Sequence, residues 1–323
     1  MSDAPSTIEF VSNGLISPDH LQLLADHAID QRVAEAAGLY SITEVSGLPE
    51  EFAHYGASVV PALAIPWTSF DGSTVVQLRP DLPGRDAEGR PRKYLFPREA
   101  AIPINVHPSM KDRVAGGHTR VAVVEGTWQY LAAVTASMAD PTTAVVGMSG
   151  CYGWSHDGRP SVSATSIPWA GREAIVVMDA DMATNSNVHK AATELGQSLK
   201  TMFGASRVRF ATIPAGGKIG LDDVLAVRAD AERPAVFRRI LDGAATTAGR
   251  RPKRSEGPWM AAGGPRVEVI VKDILAQHEV AVGADGDLLV YRDGYFQPEK
   301  QFLAMEMTNR LGDDFRPAHV SAV

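Results

Sequence analysis

Short apolar runs divide the middle of the chain into candidate strands, and two of these runs are followed directly by acidic residues. Residues 121–124 are all apolar and precede Glu125, and residues 174–178 are all apolar and precede Asp179 and Asp181. A parallel strand that is buried on both faces needs such a continuous apolar run. The pattern therefore predicts two buried strands that each end at a carboxylate.

Between residues 120 and 226 the candidate strands alternate with segments of helical spacing. The predicted strands cover residues 121–124, 143–146, 174–178 and 207–213, and the predicted helices cover residues 128–138 and 188–202. We expect Asn187 to be the N-cap of the second helix. This alternation indicates right-handed crossovers and a mostly parallel sheet with helices packed against it.

Cap and turn residues organise the chain before this region. Ser17 followed by Pro18 is typical of the first residues of a helix. Two β-prone segments within residues 62–80 flank Asp71 and Gly72, and an Asp-Gly pair between such segments predicts a hairpin. The N-terminal part is therefore expected to be a subdomain of mixed α/β structure.

Gly, Pro and basic residues mark a linker after the alternating region, and a smaller unit follows it. A helix is expected near residues 267–278, and hairpin turns are expected at residues 285–286 and 293–294. The predicted fold class is α/β, or α+β over the whole chain. The expected divisions are a flexible N-terminus (1–14), the N-terminal subdomain (15–116), the parallel-sheet domain (117–242), a basic Gly/Pro linker (243–265) and a small α+β unit (266–323).

Composition excludes several classes of protein but does not indicate an activity. The chain has 323 residues, 45% of them hydrophobic, and a net charge of -7, so any nucleic-acid contact must come from local patches. Cys151 is the single cysteine, which excludes a disulfide framework and a cysteine-rich zinc ribbon and fits a reducing, cytoplasmic setting. We see no signal peptide and no apolar run of the roughly 18–20 residues that a membrane span needs.

The three acids that follow the apolar runs suggest a cation site. Parallel sheets place ligands at the carboxyl ends of their strands, so Glu125, Asp179 and Asp181 could converge. Desolvation and mutual repulsion would protonate one of three such close carboxylates unless a cation neutralises them. Hard oxygen ligands favour Mg²⁺ or Mn²⁺. The alternatives that need no cation are a helix-start charge for Glu125 and a solvated loop that carries Asp179 and Asp181.

The order of strand, Glu-Gly, helix, strand, Gly, strand and Asp-x-Asp across about residues 118–226 resembles the Toprim domain of topoisomerases, bacterial-type primases and some nucleases. The resemblance implies that Glu125, Asp179 and Asp181 are the catalytic and metal-binding acids. It also implies Mg²⁺- or Mn²⁺-dependent phosphate-ester chemistry.

Residues 65–99 resemble the stretch that precedes Toprim in bacterial replicative primases. An apolar strand, the turn at Asp71-Gly72, a strand that ends at Arg79 and the sequence Lys93-Tyr94-Leu-Phe-Pro occur in the same order. The resemblance implies a primase catalytic core that uses a single-stranded DNA template and nucleoside triphosphates.

Three further segments resemble phage and plasmid primase-helicase proteins: residues 149–154, 217–223 and 291–312. This implies a replicative helicase as partner, in cis or in trans. The chain departs from these relatives because one cysteine cannot form the zinc ribbon of bacterial primases. It also contains no G-x-x-x-x-G-K-[ST] phosphate loop, since Gly217-Lys218 is followed by Ile219.

Several polar residues near the acids are candidates for binding substrate or nucleic acid. Arginine binds phosphate bidentately, lysine acts as a point charge, and tyrosine can stack on a base. The structural alternatives are a solvated basic loop for the arginines and Lys93, and a half-buried structural role for Tyr94. Lys218 could instead form an ion pair with nearby acids. Asp222 could be a helix-start charge, which is the interpretation that we prefer for the neighbouring Asp223. The candidates are Arg79, Lys93, Tyr94, Arg98, Lys218 and Asp222.

The sequence thus predicts a DNA primase core that synthesises short primers by metal-dependent nucleotidyl transfer during phage, prophage or plasmid replication. A Toprim-type nuclease would need the same acids without a triphosphate site. A third alternative is a catalytically silent DNA-binding module of a replication protein, for which DNA binding would not depend on Asp179 and Asp181.

Overall fold

The protein is described by a computed structural model over residues 15–85, 91–117, 120–156, 159–214, 219–252, 258–261, 264–284, 286–292, 294–299, 301–311, 315 and 320. The chain divides into two compact units. Within the described residues, the first unit comprises residues 15–82 and 94–252, and the second comprises residues 83–93 and those after 252.

The first unit contains nine strands and eight α-helices among its described residues. The strands are β1 (Tyr40–Ile42), β2 (Ala62–Thr68), β3 (Thr74–Pro80), β4 (Arg120–Glu125), β5 (Thr143–Met148), β6 (Ser155–His156), β7 (Arg159–Pro160), β8 (Glu173–Val177) and β9 (Arg207–Phe210). The helices are α1 (Pro18–Asp26), α2 (Gln31–Ala36), α3 (Lys111–Ala115), α4 (Thr127–Ser137), α5 (Val162–Ser166), α6 (Ser186–Thr201), α7 (Leu221–Ala226) and α8 (Arg233–Asp242).

A four-stranded sheet in the order β5-β4-β8-β9 lies at the centre of the first unit. All three of its strand pairs are parallel, and Val124 is in register with Val177. The apolar residues of β4, β5 and β8 are buried on both faces of the sheet, which explains their continuous apolar sequences. The predicted α/β class and the mostly parallel central sheet are confirmed.

The N-terminal part of the first unit contains an antiparallel sheet in the order β1-β2-β3. The predicted hairpin is present as β2 and β3, and Gly72 in its turn has φ 99°, a conformation that favours glycine. The predicted cap at Ser17 is also present, because its side chain accepts a hydrogen bond from the His20 N–H at 3.3 Å.

Helix α4 connects β4 to β5 and is buried along nearly its whole length. Such a helix is expected to be apolar on all sides, so its buried polar residues need partners. Two of them, Thr127 and Gln129, lie in the first turn and are 6% and 8% exposed. Thr127 donates to Gln77 at 2.8 Å, which joins the start of α4 to β3.

The second unit has its own hydrophobic core, in which Ile270, Val290 and Phe302 are almost completely buried. Its described strands and helices are β10 (Met260–Ala261), β11 (Gly264–Pro265), β12 (Val280–Val282), β13 (Leu288–Arg292), β14 (Tyr295–Pro298), α9 (Val267–Gln277) and α10 (Phe302–Leu311). The sheet β12-β13-β14 is antiparallel, as the predicted hairpins require. Among the described residues of both units, no helix combines the length and the apolar character that crossing a membrane requires.

Two local expectations are corrected. The N-cap of α6 is Asn185, whose side chain accepts from the Asn187 N–H at 3.0 Å, and Asn187 itself lies inside the helix. Strand β9 ends at Phe210, three residues before the predicted end. The predicted divisions of the chain stay predictions, and the expected flexible N-terminus (1–14) lies outside the described residues.

Candidate cation site and its surroundings

Glu125 and the pair Asp179/Asp181 lie at the carboxyl ends of two strands that are neighbours in the sheet. Glu125 is the last residue of β4, and Asp179 follows the end of β8 by two residues. The chain leaves β4 towards β5 on one side and returns as β8 on the other side. The acids therefore flank the topological switch point, which is where open α/β sheets bind ligands.

The carboxylate of Glu125 contacts the segment that follows β8. It accepts hydrogen bonds from the backbone N–H groups of Asp179 and Cys151. Its Oε2 atom is buried and has no hydrogen-bond partner among the described residues. Burial, and then the charges of Asp179 and Asp181, raise the pKa of Glu125 from its ordinary value of 4.5 to about 7.

Asp181 is 7% exposed and is held at the start of α6. Its Oδ2 accepts from the Asn185 side chain at 3.1 Å, and its backbone oxygen accepts from the Asn185 N–H at 2.6 Å. Its Oδ1 is buried and has no hydrogen-bond partner among the described residues. Asp179 accepts a hydrogen bond from the Gln129 side chain. The hydrogen bonds that orient these acids thus leave two buried carboxylate oxygens unsatisfied.

A divalent cation suits the chemistry of these donors, whereas among the described residues only His27, Asp222 and Asp223 bring three ligand atoms within 4.8 Å of one another. Buried carboxylate oxygens without a donor are costly, and hard oxygen ligands of this kind suit Mg²⁺ or Mn²⁺. Glu125, Asp179 and Asp181 are the residues that could hold such an ion.

A second acidic group lies at the start of α7. One ligand atom from each of His27, Asp222 and Asp223 lies within 4.8 Å of the others. Within this group, His27 Nδ1 and Asp222 Oδ2 are 2.6 Å apart. Asp223 accepts from the Gly220 N–H at 2.9 Å, which agrees with its expected role as a helix-start charge.

Trp128 in the first turn of α4 is surrounded by polar side chains. The His27 ring stacks on it with centroids 5.2 Å apart, and the Arg79 guanidinium lies 5.5 Å from its ring centroid. Tyr94 contacts Trp128 edge-on at 6.2 Å. Burial raises the pKa of Tyr94 to about 12, while Arg79 opposes the shift through its charge and a hydrogen bond, and Asp222 adds to it. Arg79 Nε is buried without a hydrogen-bond partner among the described residues.

The structure thus brings together three of the six predicted binding residues, namely Arg79, Tyr94 and Asp222. Lys93 and Arg98 are exposed, and Lys218 lies outside the described residues.

Sequence reasoning missed Gln129 and His27. Gln129 left a usable signal, because it is a polar residue one helical turn after Glu125 in an otherwise apolar segment. His27 left none, since its partner Asp222 is 195 residues away.

Comparison with known proteins finds distant structural similarity and no match in sequence. No family model matches the chain, and no curated protein matches it. Among solved structures, the primase of Aquifex aeolicus with its zinc-binding and RNA polymerase domains is 12% identical, with a TM-score of 0.46 over 80% of this chain. The DnaG catalytic core is 16% identical, with a TM-score of 0.47 over 82% of this chain and 79% of that chain. The chain spans 59% of the Aquifex structure. Likeness at this level establishes neither a family nor an activity.

Proposed function

We propose that this protein is a Toprim-type DNA primase core, which joins nucleoside triphosphates into short primers on single-stranded DNA with Mg²⁺ or Mn²⁺. The observation that carries the proposal is the position of Glu125, Asp179 and Asp181 at the carboxyl ends of the neighbouring strands β4 and β8, where two buried carboxylate oxygens have no hydrogen-bond partner among the described residues. The choice of primer synthesis among metal-dependent phosphate-ester reactions rests on the Toprim-like and primase-like sequence segments.

In this mechanism Glu125, Asp179 and Asp181 would hold the cations, and hydrogen bonds from neighbouring groups fix the orientation of these acids. Divalent cations bound there would supply neutralisation of the triphosphate charge, activation of the primer 3′-hydroxyl and stabilisation of the leaving pyrophosphate. The protein contributes positioning and fixed charge and makes no covalent bond to substrate. Asn185 keeps Asp181 in place, so a small cost in reorganisation is expected when substrate binds.

Arg79 is the proposed phosphate contact of the described site. Its Nε is a buried donor without a hydrogen-bond partner among the described residues, and a guanidinium in this state is suited to a phosphate of the triphosphate or of the template. Tyr94 hydrogen-bonds to Arg79 and would steady it. Lys93, Arg98, Lys218 and Asp222 are proposed to bind substrate or nucleic acid on the sequence resemblance.

Further parts of the proposal rest on resemblance in sequence. They are the phage, prophage or plasmid setting, a cytoplasmic location, and a replicative helicase that acts with this chain in cis or in trans.

The test is a primer-synthesis assay on single-stranded DNA with labelled ATP, a full set of nucleotides, and Mg²⁺ or Mn²⁺. We expect short labelled products from the parent protein and none from Asp179→Ala/Asp181→Ala. Asp230→Ala is the matched control, because Asp230 is an acid whose side chain is 90% exposed and pairs with Arg233. The control should keep full activity.

Other outcomes would change the assignment. Metal-dependent shortening of the template without synthesis, lost in the double variant, would identify a nuclease. DNA binding that weakens with salt and is indifferent to Asp179 and Asp181, with no chemistry in any metal, would identify a binding module.

A further inference from the structure

We propose that Gln129 is a positioning residue that holds Asp179 and the first turn of α7 in one arrangement. The inference rests on the proposed function, because it concerns how the cation-binding acids are oriented. Gln129 was not among the residues that sequence reasoning selected.

Two hydrogen bonds from one buried side chain carry this inference. Gln129 Nε2 donates to Asp179 Oδ1, and Gln129 Oε1 accepts from the Leu221 N–H at 2.9 Å. The two partners are separated from Gln129 by 50 and 92 residues, respectively. Gln129 is 8% exposed, so neither bond is readily replaced by water.

The carboxamide is suited to this place because it offers a donor and an acceptor at once. A carboxylate in its place would face Asp179 with a further negative charge. An apolar side chain of similar length would leave the buried Leu221 N–H without its partner. The amide therefore fixes the Oδ1 atom of Asp179.

Gly220 shows that Gln129 also lies close to Asp222. A Cβ atom built on Gly220 would collide with Asp222 Oδ1 and would lie 3.0 Å from both Cγ and Cδ of Gln129. The carboxylate of Asp222 and the side chain of Gln129 thus border the same small space. Gln129 therefore bonds to Asp179 and also lies near Asp222.

A backbone bond makes the inference testable without loss of the fold. The Ala180 N–H donates to the Ile219 oxygen at 3.0 Å, so the segments after β8 and before α7 stay joined when Gln129 is replaced. Gln129→Met keeps the length of the side chain and removes both of its hydrogen bonds. We expect the variant to fold and to orient Asp179 less well.

The experiment is a titration of the full-length protein with Mn²⁺, and separately with Mg²⁺, following the melting temperature. A cation that binds the folded state raises the melting temperature, and the stabilisation follows RT ln(1 + c/Kd), where c is the cation concentration. The cation concentration at which the stabilisation reaches RT ln 2, called the midpoint because half of the folded molecules are then occupied, reports apparent affinity. Loss of a residue that orients a metal ligand weakens affinity by about 10-fold to 100-fold. We expect the midpoint for Gln129→Met to move to higher concentration by about 10-fold.

Gln77→Met is the matched control. Gln77 is also buried and accepts two side-chain bonds, from Thr127 at 2.8 Å and from Trp67 at 3.3 Å. Its loss should lower the melting temperature in EDTA without moving the cation midpoint. Gly220→Ala offers an independent variant, because the added methyl group pushes on Gln129 and Asp222 without removing any polar group. It should move the midpoint in the same direction as Gln129→Met.

The outcomes separate this inference from the proposed function. A Gln129→Met midpoint within about twofold of the parent, when the parent itself responds to cation, would overturn the positioning role and leave the primase proposal standing. A parent whose melting temperature does not respond to Mn²⁺ or Mg²⁺ would overturn both, since there would be no cation site for Gln129 to serve.

Discussion

Two groups of acidic residues in the first unit are neutralised in different ways. At the ends of β4 and β8, Glu125 and Asp181 each keep a buried oxygen without a hydrogen-bond partner among the described residues. At the start of α7, Asp222 is 5% exposed but pairs with His27, and Asp223 accepts from the backbone of its own helix. In the first group, two buried carboxylate oxygens are therefore not compensated by any described donor. In the second group, the carboxylates are largely compensated by His27 and by backbone N–H groups.

This difference indicates which acids are available for a cation. Removing one charge from the first group relieves repulsion among the remaining acids. Removing a partner from the second group leaves a buried charge without compensation, which costs stability. The two groups should therefore respond in opposite directions when they are altered in the absence of metal, and four changes test this comparison.

The largest effect is expected from Asp181→Asn. The variant removes a carboxylate that the proposed cation needs, so primer synthesis should fall by about 100-fold or more. In EDTA its melting temperature should equal or exceed that of the parent, because one of three mutually repelling charges is gone. A variant that keeps its activity, or that melts well below the parent in EDTA, would mean that Asp181 is a structural residue.

Glu125→Gln should change the dependence of stability on pH. The carboxyl group of Glu125 has a pKa of 4.5 in the unfolded state and of about 7 in the folded state. Between these pH values the folded state holds a proton that the unfolded state has lost. Stability of the metal-free parent should fall as pH rises through this range and level off above it. The raised pKa corresponds to about 3 kcal/mol, fully expressed above pH 7.

The measurement for Glu125→Gln is the free energy of unfolding in EDTA at pH 5, 6, 7 and 8. The variant should gain on the parent as pH rises, because glutamine has no proton to lose. Mg²⁺ at pH 8 should restore stability to the parent more than to the variant. Parallel curves for the two proteins would show that Glu125 is not desolvated as the structure has it.

His27→Ala tests the second group and should act in the opposite direction. Removal of the imidazole leaves the buried carboxylate of Asp222 without this partner, which should lower the free energy of unfolding by about 2 kcal/mol. A double-mutant cycle with Asp222→Asn at pH 7 measures the coupling between the two side chains. Additive losses in that cycle would show that the pair at 2.6 Å contributes nothing specific.

The smallest effect is expected from Asp223→Ala. Asp223 is exposed, and its carboxylate accepts from the Gly220 N–H at the start of α7. Loss of this cap should cost about 1 kcal/mol or less, and thermal unfolding would measure it. If Asp223→Ala also moved the Mn²⁺ midpoint as strongly as Asp181→Asn, the division into one cation site and one self-compensated group would be wrong.

Much of the local structure is set by features that lie close together in sequence. The buried strands follow from continuous apolar runs, the hairpin from Asp71-Gly72, and the first helix from Ser17-Pro18. The wrong prediction of the N-cap of α6 also has a local cause. Asn185 and Asn187 are both suitable N-caps, and the carboxylate and backbone oxygen of Asp181 decide in favour of Asn185.

The sequence by itself determined the acids at the strand ends, because an apolar run and the residue that terminates it are neighbours in the chain. Only the tertiary structure decided that β8 pairs with β4 across from β5, which brings Glu125 beside Asp179. It also decided that Gln129 reaches both Asp179 and Leu221, and that His27 meets Asp222. These contacts join residues 50 to 195 positions apart. They depend on how whole elements pack, which no local pattern of residues encodes.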